Sequence, residues 1–204
     1  MKLIVGLGNP GLKHESTRHN LGFKILDAFF KDNSSVKESF KEEKKFQSEM
    51  SAISLKSKNG QLQKAILVKP LTYMNNSGLA VKKIADFYKI DTSNILVVHD
   101  EIDLPLGGMK IRLGGSSAGH KGVESIIEHL KSEKFWRFRI GIGKQVQKDK
   151  ISGKKLKKID NFVLGEFSEG ERGKAREVIK KASKALTRAL EESLEKAMNR
   201  FNTK

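Results

Sequence analysis

The stretch LIVGLGNPGLKHESTRHNLGF, residues 3 to 23, passes from an apolar run through a glycine- and proline-bearing loop into an amphipathic helical pattern. Leu3, Ile4 and Val5, with Leu7 closing the run, have the unbroken apolarity of a strand buried on both faces. Leu21, Ile25, Leu26, Phe29 and Phe30 then recur at helical spacing. A strand that turns into a helix delivers its loop side chains to the carboxyl edge of a sheet, where open α/β folds bind ligands. Asn9 and His19 are therefore the first site candidates.

Gly6, Gly8 and Gly11 also spell G-x-G-x-x-G, the pattern of a dinucleotide-binding turn. That chemistry needs a helix opening on the glycines and an acidic residue at the end of the next strand. Here Asp27 has the right offset but sits inside the helical pattern, and Pro10 removes a backbone N–H from the loop. A tight turn that presents Asn9 fits better.

Composition narrows the classes. The chain has 204 residues, enough for one domain with a full core, and no cysteine, so disulfides, thiolate nucleophiles and Cys-based zinc sites are out. No apolar run approaches the length that spans a membrane, and Gly6, Gly8 and Pro10 break any signal-like start. A soluble, uncleaved, cytoplasmic protein is expected. Lys and Arg number 40 against 24 Asp and Glu, a net charge of +16 that favours a polyanionic partner such as nucleic acid. A generally lysine-rich surface would give the same count.

Along the chain, helical periodicity covers residues 20 to 31, and residues 37 to 45 read as charged and solvated. Phe46 to Leu55 and Leu62 to Val68 flank Asn59-Gly60, a strong hairpin signal because both turn positions need positive φ. Asn75, Asn76 and Ser77 lead into a helix carrying Leu79, Ala80, Ile84 and Phe87. Ile95 to Val98 reads as a buried parallel strand ending in His99-Asp100-Glu101-Ile102-Asp103. Met109 to Leu113 and Trp136 to Ile142 are strands with Lys110, Arg112, Arg137 and Arg139 on their polar faces, flanking the Gly-rich loop 114 to 122, and together look like a phosphate-contacting surface. Residues 144 to 158 hold seven lysines and one acid, so a mobile basic loop is expected. Ser168 and Glu171 form a capping box for a long C-terminal helix whose apolar stripe runs to Met198. These elements predict a single α/β domain over residues 1 to 204: a twisted mixed sheet, mostly parallel with an antiparallel hairpin, flanked by helices.

The polar residues limit the chemistry. His14 and His19 lack the partners of a zinc motif. Gly115-Ser116-Ser117-Ala118-Gly119 fits the G-x-S-x-G elbow of serine hydrolases, but no histidine follows Asp149 or Asp160, so that ordering fails. What remains is a histidine acting as general base on water, oriented by a carboxylate. His19 and Asp100 can meet at one sheet edge, with Asn9 and Asn75 supplying amides to a carbonyl or oxyanion. Spacing alone also allows His19 to be a surface or capping residue.

The segments Val5 to Gly11 (VGLGNPG), Thr17 to Gly22 (TRHNLG), Met74 to Gly78 (MNNSG), His99 to Pro105 (HDEIDLP), Gly119 to Gly122 (GHKG) and Arg137 to Gly143 (RFRIGIG) resemble, in order, the bacterial-type peptidyl-tRNA hydrolases. Phe162 to Gly165 and Ala197 to Asn202 extend the similarity almost to the end. The resemblance implies hydrolysis of the ester joining a peptide to tRNA, releasing stalled peptides, by a monomer without metal or cofactor. It implies that His19 is the catalytic base, Asp100 the carboxylate that supports it, and Asn9 the residue that distinguishes N-blocked from free aminoacyl-tRNA. Tyr73, Asn75 and Met74 are implied substrate neighbours, with His120 and Lys121 also placed among the substrate or tRNA contacts. Arg112 and Arg139 match a pair that clamps the tRNA 5′ phosphate, beside the acceptor stem and 3′ end. Two positions depart from the family pattern: His14 stands where tyrosine is usual, and Lys121 where asparagine is common. An ammonium only donates, whereas an amide also accepts. The 144 to 158 segment is longer than the family suggests and is expected to add salt-sensitive tRNA affinity. The competing reading is a noncatalytic RNA-binding protein on the same fold.

Overall fold

The computed structural model describes residues 1 to 34, 40 to 143 and 154 to 202. Its strands are β1 (Lys2–Gly6), β2 (Lys41–Glu43), β3 (Ser48–Lys56), β4 (Leu62–Pro70), β5 (Ile95–Pro105), β6 (Met109–Leu113) and β7 (Trp136–Gly143). They form one sheet in the order β2-β3-β4-β1-β5-β7-β6. The inner four, β4, β1, β5 and β7, are parallel, whereas β3 and β2 on one side and β6 on the other are antiparallel to their neighbours. The helices are α1 (Leu12–Glu15), α2 (Leu21–Asn33), α3 (Ser77–Phe87), α4 (Lys121–Leu130), α5 (Lys154–Val163), α6 (Glu169–Glu191) and α7 (Leu194–Phe201). The mixed α/β class, the hairpin across Asn59-Gly60 and the long C-terminal helix are as the sequence predicts.

Alternation along the strands divides the core in two. Ile4, Leu67, Leu96 and Val98 join α2, α6 and α7 on one face, while Leu3, Val5, Val68 and Val97 join α3 and α4 on the other. β1 lies between β4 and β5, so the chain leaves it toward one side and returns on the other. Its carboxyl end is thus a switch point where loops diverge and a crevice opens. The early glycines serve this packing: a Cβ on Gly6 would stand 2.5 Å from the Gly22 carbonyl oxygen, and one on Gly8 would stand 2.8 Å from the Phe23 ring. They let α2 lie directly on β1, and no pyrophosphate is needed to explain them.

Four expectations change. β2 falls inside the stretch read as solvated; its three residues are charged and exposed, so it left no hydrophobic signal, and it forms because the edge of β3 offers unpaired backbone groups. β5 continues through His99 to Pro105, with a register break against β7 between Glu101 and Pro105. α5 begins at Lys154, within the stretch expected to form no element; residues 144 to 153 lie outside the described residues. The C-terminal stripe is carried by two helices, because Ser193 is extended and its hydroxyl accepts from Lys196 N–H to start α7. Apolar phase is kept across the break, which hid it from periodicity.

Candidate active site

His19 sits in a 3-10 turn, Arg18–Asn20, immediately before α2. Arg18 anchors that turn: its guanidinium donates to Glu171 Oε2 at 2.8 Å and lies 4.4 Å from the centre of the Phe162 ring. The same Glu171 oxygen accepts from Ser168 in the capping box of α6. Thus the first turn of a distant helix fixes the base. His19 Nδ1 donates to Asp100 Oδ1 and Oδ2 at 2.9 and 3.0 Å, across 81 residues of chain. The Nε2 lone pair is left for a ligand or water.

Asp100 has a second imidazole partner. His120 caps α4, its Nδ1 accepting from Val123 N–H at 3.3 Å, so the ring proton resides on Nε2 and is donated to Asp100 Oδ1 at 3.0 Å. Burial by itself would raise the Asp100 pKa, but the charge and hydrogen bonds of His19 and His120 outweigh it and hold the carboxyl well below the usual carboxylate range. His99, also buried, donates Nδ1–H to the Asp100 carbonyl at 2.7 Å, and its Nε2 has no hydrogen-bond partner among the described residues. Desolvation, then the neighbouring His120, drives its pKa far below the ordinary imidazole value, so it is neutral. Among the described residues, His19, Asp100 and His120 are the group that offers three ligand atoms to a cation, all within 4.8 Å of one another.

Asn9 follows β1 in the adjoining loop. Its Oδ1 accepts from Met74 N–H at 2.9 Å, which leaves the Nδ2 side of the amide as the donor for a ligand. Asn20 locks the Asn9 backbone from both sides, its Oδ1 accepting from Asn9 N–H and its Nδ2 donating to the Asn9 carbonyl, each at 2.9 Å. Asn20 was not singled out from the sequence; the signal was an amide one residue after the candidate base. Met74 is buried, and Gly122 at the start of α4 has no room for a Cβ because the Met74 sulfur occupies that space. Tyr73 is exposed with φ 58°, a left-handed conformation unusual for tyrosine, and its ring meets His14 edge-on at 6.5 Å. Asn75 is exposed on the same turn and takes no part in the hydrogen bonds around His19.

A cavity of about 400 Å³ opens over His19 and Asp100, with Gly119, Lys121, Ile159 and Val163 in its walls. Lys121 is half exposed at its mouth, 3.8 Å from Asp160 of α5. At the edge of the sheet formed by β6 and β7, Lys110 pairs with Arg139 and Arg112 with Arg137, so four cations share one side of it. Arg139 donates to Glu101 Oε2 at 2.9 Å, and Arg112 is exposed. Arg137, read from sequence as part of a contact surface, is instead buried and donates to the Gly115 and Ser116 carbonyls. Burial first, and then the charges of Arg112 and Arg139, lower its pKa from 12.5 to about 10 against the opposing pull of Glu133 and Glu101.

A buried imidazole and carboxylate beside a fixed amide, bordered by cations, suit water activation on a nucleic-acid-linked carbonyl. The family model described as peptidyl-tRNA hydrolase matches residues 3–204. The chain belongs to the peptidyl-tRNA hydrolase family. It is 43% identical over 202 residues to the peptidyl-tRNA hydrolase of Aquifex aeolicus, covering 99% of this chain and 96% of that one. It is 40% identical over 206 residues to the peptidyl-tRNA hydrolase of Clostridium novyi, covering 99% and 98%. The crystal structure of the peptidyl-tRNA hydrolase of Acinetobacter baumannii superposes with a TM-score of 0.85 at 31% identity, covering all of this chain and 95% of that one. Peptidyl-tRNA hydrolase chemistry and the geometry around His19 therefore point the same way.

Proposed function

We propose that this chain hydrolyses the ester between a peptide, or an N-blocked aminoacyl group, and tRNA, with His19 as general base and no covalent intermediate. His19 Nε2 takes a proton from water as the water oxygen attacks the ester carbonyl carbon. Amides at Asn9 and Asn75 hold the acyl group and its developing oxyanion. When the intermediate collapses, the tRNA terminal oxygen leaves with the proton from the imidazolium, and the new carboxylic acid gives its remaining proton to solvent, so the peptide departs as a carboxylate. Asp100 keeps the His19 proton on Nδ1 and stabilises the imidazolium, while His120 positions Asp100 from the other side.

The observation that carries this reading is the contact of His19 Nδ1 with both Asp100 oxygens inside a cavity, which leaves Nε2 for water. On the tRNA side, Arg112 and Arg139 take the 5′ phosphate through forked guanidinium contacts, and Lys121 meets the 3′ end beside the acceptor stem. Every group the mechanism uses comes from loops, turns and strand ends of one chain, so a monomer and a single domain suffice. No described helix is long and apolar enough to cross a membrane. A purely RNA-binding role is not favoured, since binding needs the basic edge but not a buried imidazole–carboxylate pair. His19→Ala should lower release of tRNA from N-acetyl-aminoacyl-tRNA by roughly 10²- to 10⁴-fold with near wild-type tRNA affinity. Equal loss of turnover and affinity would make His19 a binding or folding residue.

A further inference from the structure

Arg18 stands next to the catalytic base in the same 3-10 turn, yet it lines no part of the cavity over His19 and Asp100. We propose that Arg18 is a positioning residue that couples the α5 wall of that cavity to His19; the inference rests on the peptidyl-tRNA reading above.

Three observations carry it. The first is what Arg18 touches. Its guanidinium lies 4.4 Å from the centre of the Phe162 ring and 5.2 Å from that of Phe167, and its Nη1 donates to the Phe162 carbonyl at 3.4 Å. Its backbone N–H donates to the Gly165 carbonyl at 3.0 Å, and the preceding residue, Thr17, forms an antiparallel bridge with Glu166. Apart from Glu171, the side-chain partners of Arg18 thus belong to residues 162 to 167, the end of α5 and the turn that follows it.

The second is where α5 stands. Ile159, Asp160 and Val163 line the cavity, while Phe162, on the same turn of helix, meets Arg18. That turn faces substrate on one side and the guanidinium on the other. Substrate pressed against Ile159 and Val163 is therefore felt at the Phe162 ring and carbonyl, and through Arg18 at the next residue, His19.

The third is how the guanidinium is held. A Cβ on Gly165 would stand 3.2 Å from Arg18 Nη1, so the chain after α5 lies tight against it. On its other side, the Ser168 N–H first, and then the Ser168 hydroxyl and Arg18, hold the Glu171 carboxyl below its ordinary range against desolvation, so this counter-ion keeps its charge. Arg18 Nε, by contrast, is buried with no hydrogen-bond partner among the described residues. A small shift of residues 162 to 167 would supply an acceptor, which is what a movable coupling needs. Only a planar fork can stack on two rings and bond at both ends; an ammonium cannot.

The test measures kcat and KM on N-acetyl-aminoacyl-tRNA for Arg18→Lys, for Ile159→Ala in the cavity wall and for the double variant, with thermal midpoints alongside. Arg18→Lys keeps the charge and loses the fork. It should lower kcat roughly tenfold with KM little changed at low or high salt, as a small misplacement of a reacting group does. Ile159→Ala should lower kcat several-fold in the wild type and hardly at all in the Arg18→Lys background, where the wall no longer reaches the base. If Arg18→Lys folds poorly, Glu171→Gln takes its place in the cycle: it keeps an acceptor for the capping box and removes the charge that Arg18 grips, and it should lower kcat roughly threefold. Additive losses in the cycle, or lower thermal midpoints with kcat per folded enzyme unchanged, would make Arg18 a structural residue and overturn the coupling while leaving the hydrolase reading intact. Failure of the wild type to cleave N-acetyl-aminoacyl-tRNA at all would overturn the hydrolase reading itself, and the coupling with it.

Discussion

The centre of this site and its rim are built on opposite principles. At the centre, His19, Asp100, His120, Asn9 and Asn20 are largely buried and joined by hydrogen bonds of 2.9 to 3.0 Å, so each group has one orientation and one proton position. At the rim, Arg112, Lys110 and Lys121 are exposed cations whose charges reach solvent. Preorganisation governs the first and long-range attraction the second. Substitutions at the centre should therefore change kcat, and substitutions at the rim should change KM and its salt dependence.

The sharpest way to break this contrast is Asp100→Asn. The amide oxygen can still take both rings where Oδ1 does now, but an NH₂ in place of Oδ2 faces His19 Nδ1–H donor to donor, and the negative charge that stabilises the imidazolium is lost. Turnover should fall by roughly 10²- to 10⁴-fold with tRNA affinity retained, and the pH profile of kcat should change. The same substitution has a stability signature. Asp100 resists protonation more in the folded protein than in the unfolded chain, so as pH falls the unfolded state binds the proton first. The stability it contributes is complete above the ordinary value near 3.8 and is lost progressively below it. Denaturant midpoints followed into acid should therefore fall less steeply for Asp100→Asn than for wild type. An unchanged acid limb and an unchanged kcat profile would remove Asp100 from the centre.

Next in size is His120→Asn, which removes one of the two donors on Asp100 but keeps a capping side chain at the start of α4. Turnover should drop about tenfold, with KM little changed and the pH profile displaced. A rise in KM with kcat intact would move His120 from the centre to the rim, where sequence reasoning had placed it as a substrate contact.

The contact of His120 with Asp100 shows what the sequence carries and what it does not. The buried strands, the hairpin at Asn59-Gly60 and the helix after His19 are written in local periodicity and turn chemistry, so they are legible from sequence. β2 has no periodicity to read, and the interruption at Ser193 is invisible because the apolar phase runs on through it. The pairing of His19 with Asp100 came from family resemblance, since spacing alone left it open. The second imidazole on Asp100, the Asn20 lock on Asn9 and the burial of Arg137 are contacts among loops brought together by the sheet. No local pattern encodes them.

At the rim, the expected effects are smaller and of a different kind. Arg112→Ala should weaken tRNA binding several-fold near physiological salt, with kcat on saturating substrate little changed. The slope of log affinity against log salt should become shallower by about one. A parallel shift, with the slope unaltered, would mean that Arg112 contacts no phosphate.

The smallest effect, and the finest test of the contrast, belongs to Lys121. It stands at the cavity mouth, close to the centre, yet its side chain is half exposed and its one described partner, Asp160, is 3.8 Å away and equally exposed. Such a pair is worth well under about 1 kcal/mol, so the lysine is cheaply released to a substrate phosphate. Lys121→Asn, which installs the residue common in the family, should therefore raise KM about two- to threefold at low salt and much less at high salt, because screening already removes the attraction it deletes. Asp160→Asn should act in the opposite sense, lowering KM at low salt by freeing the ammonium. If Lys121→Asn instead changes kcat independently of salt, the boundary between centre and rim runs outside Lys121, and its ammonium acts on the reacting ester.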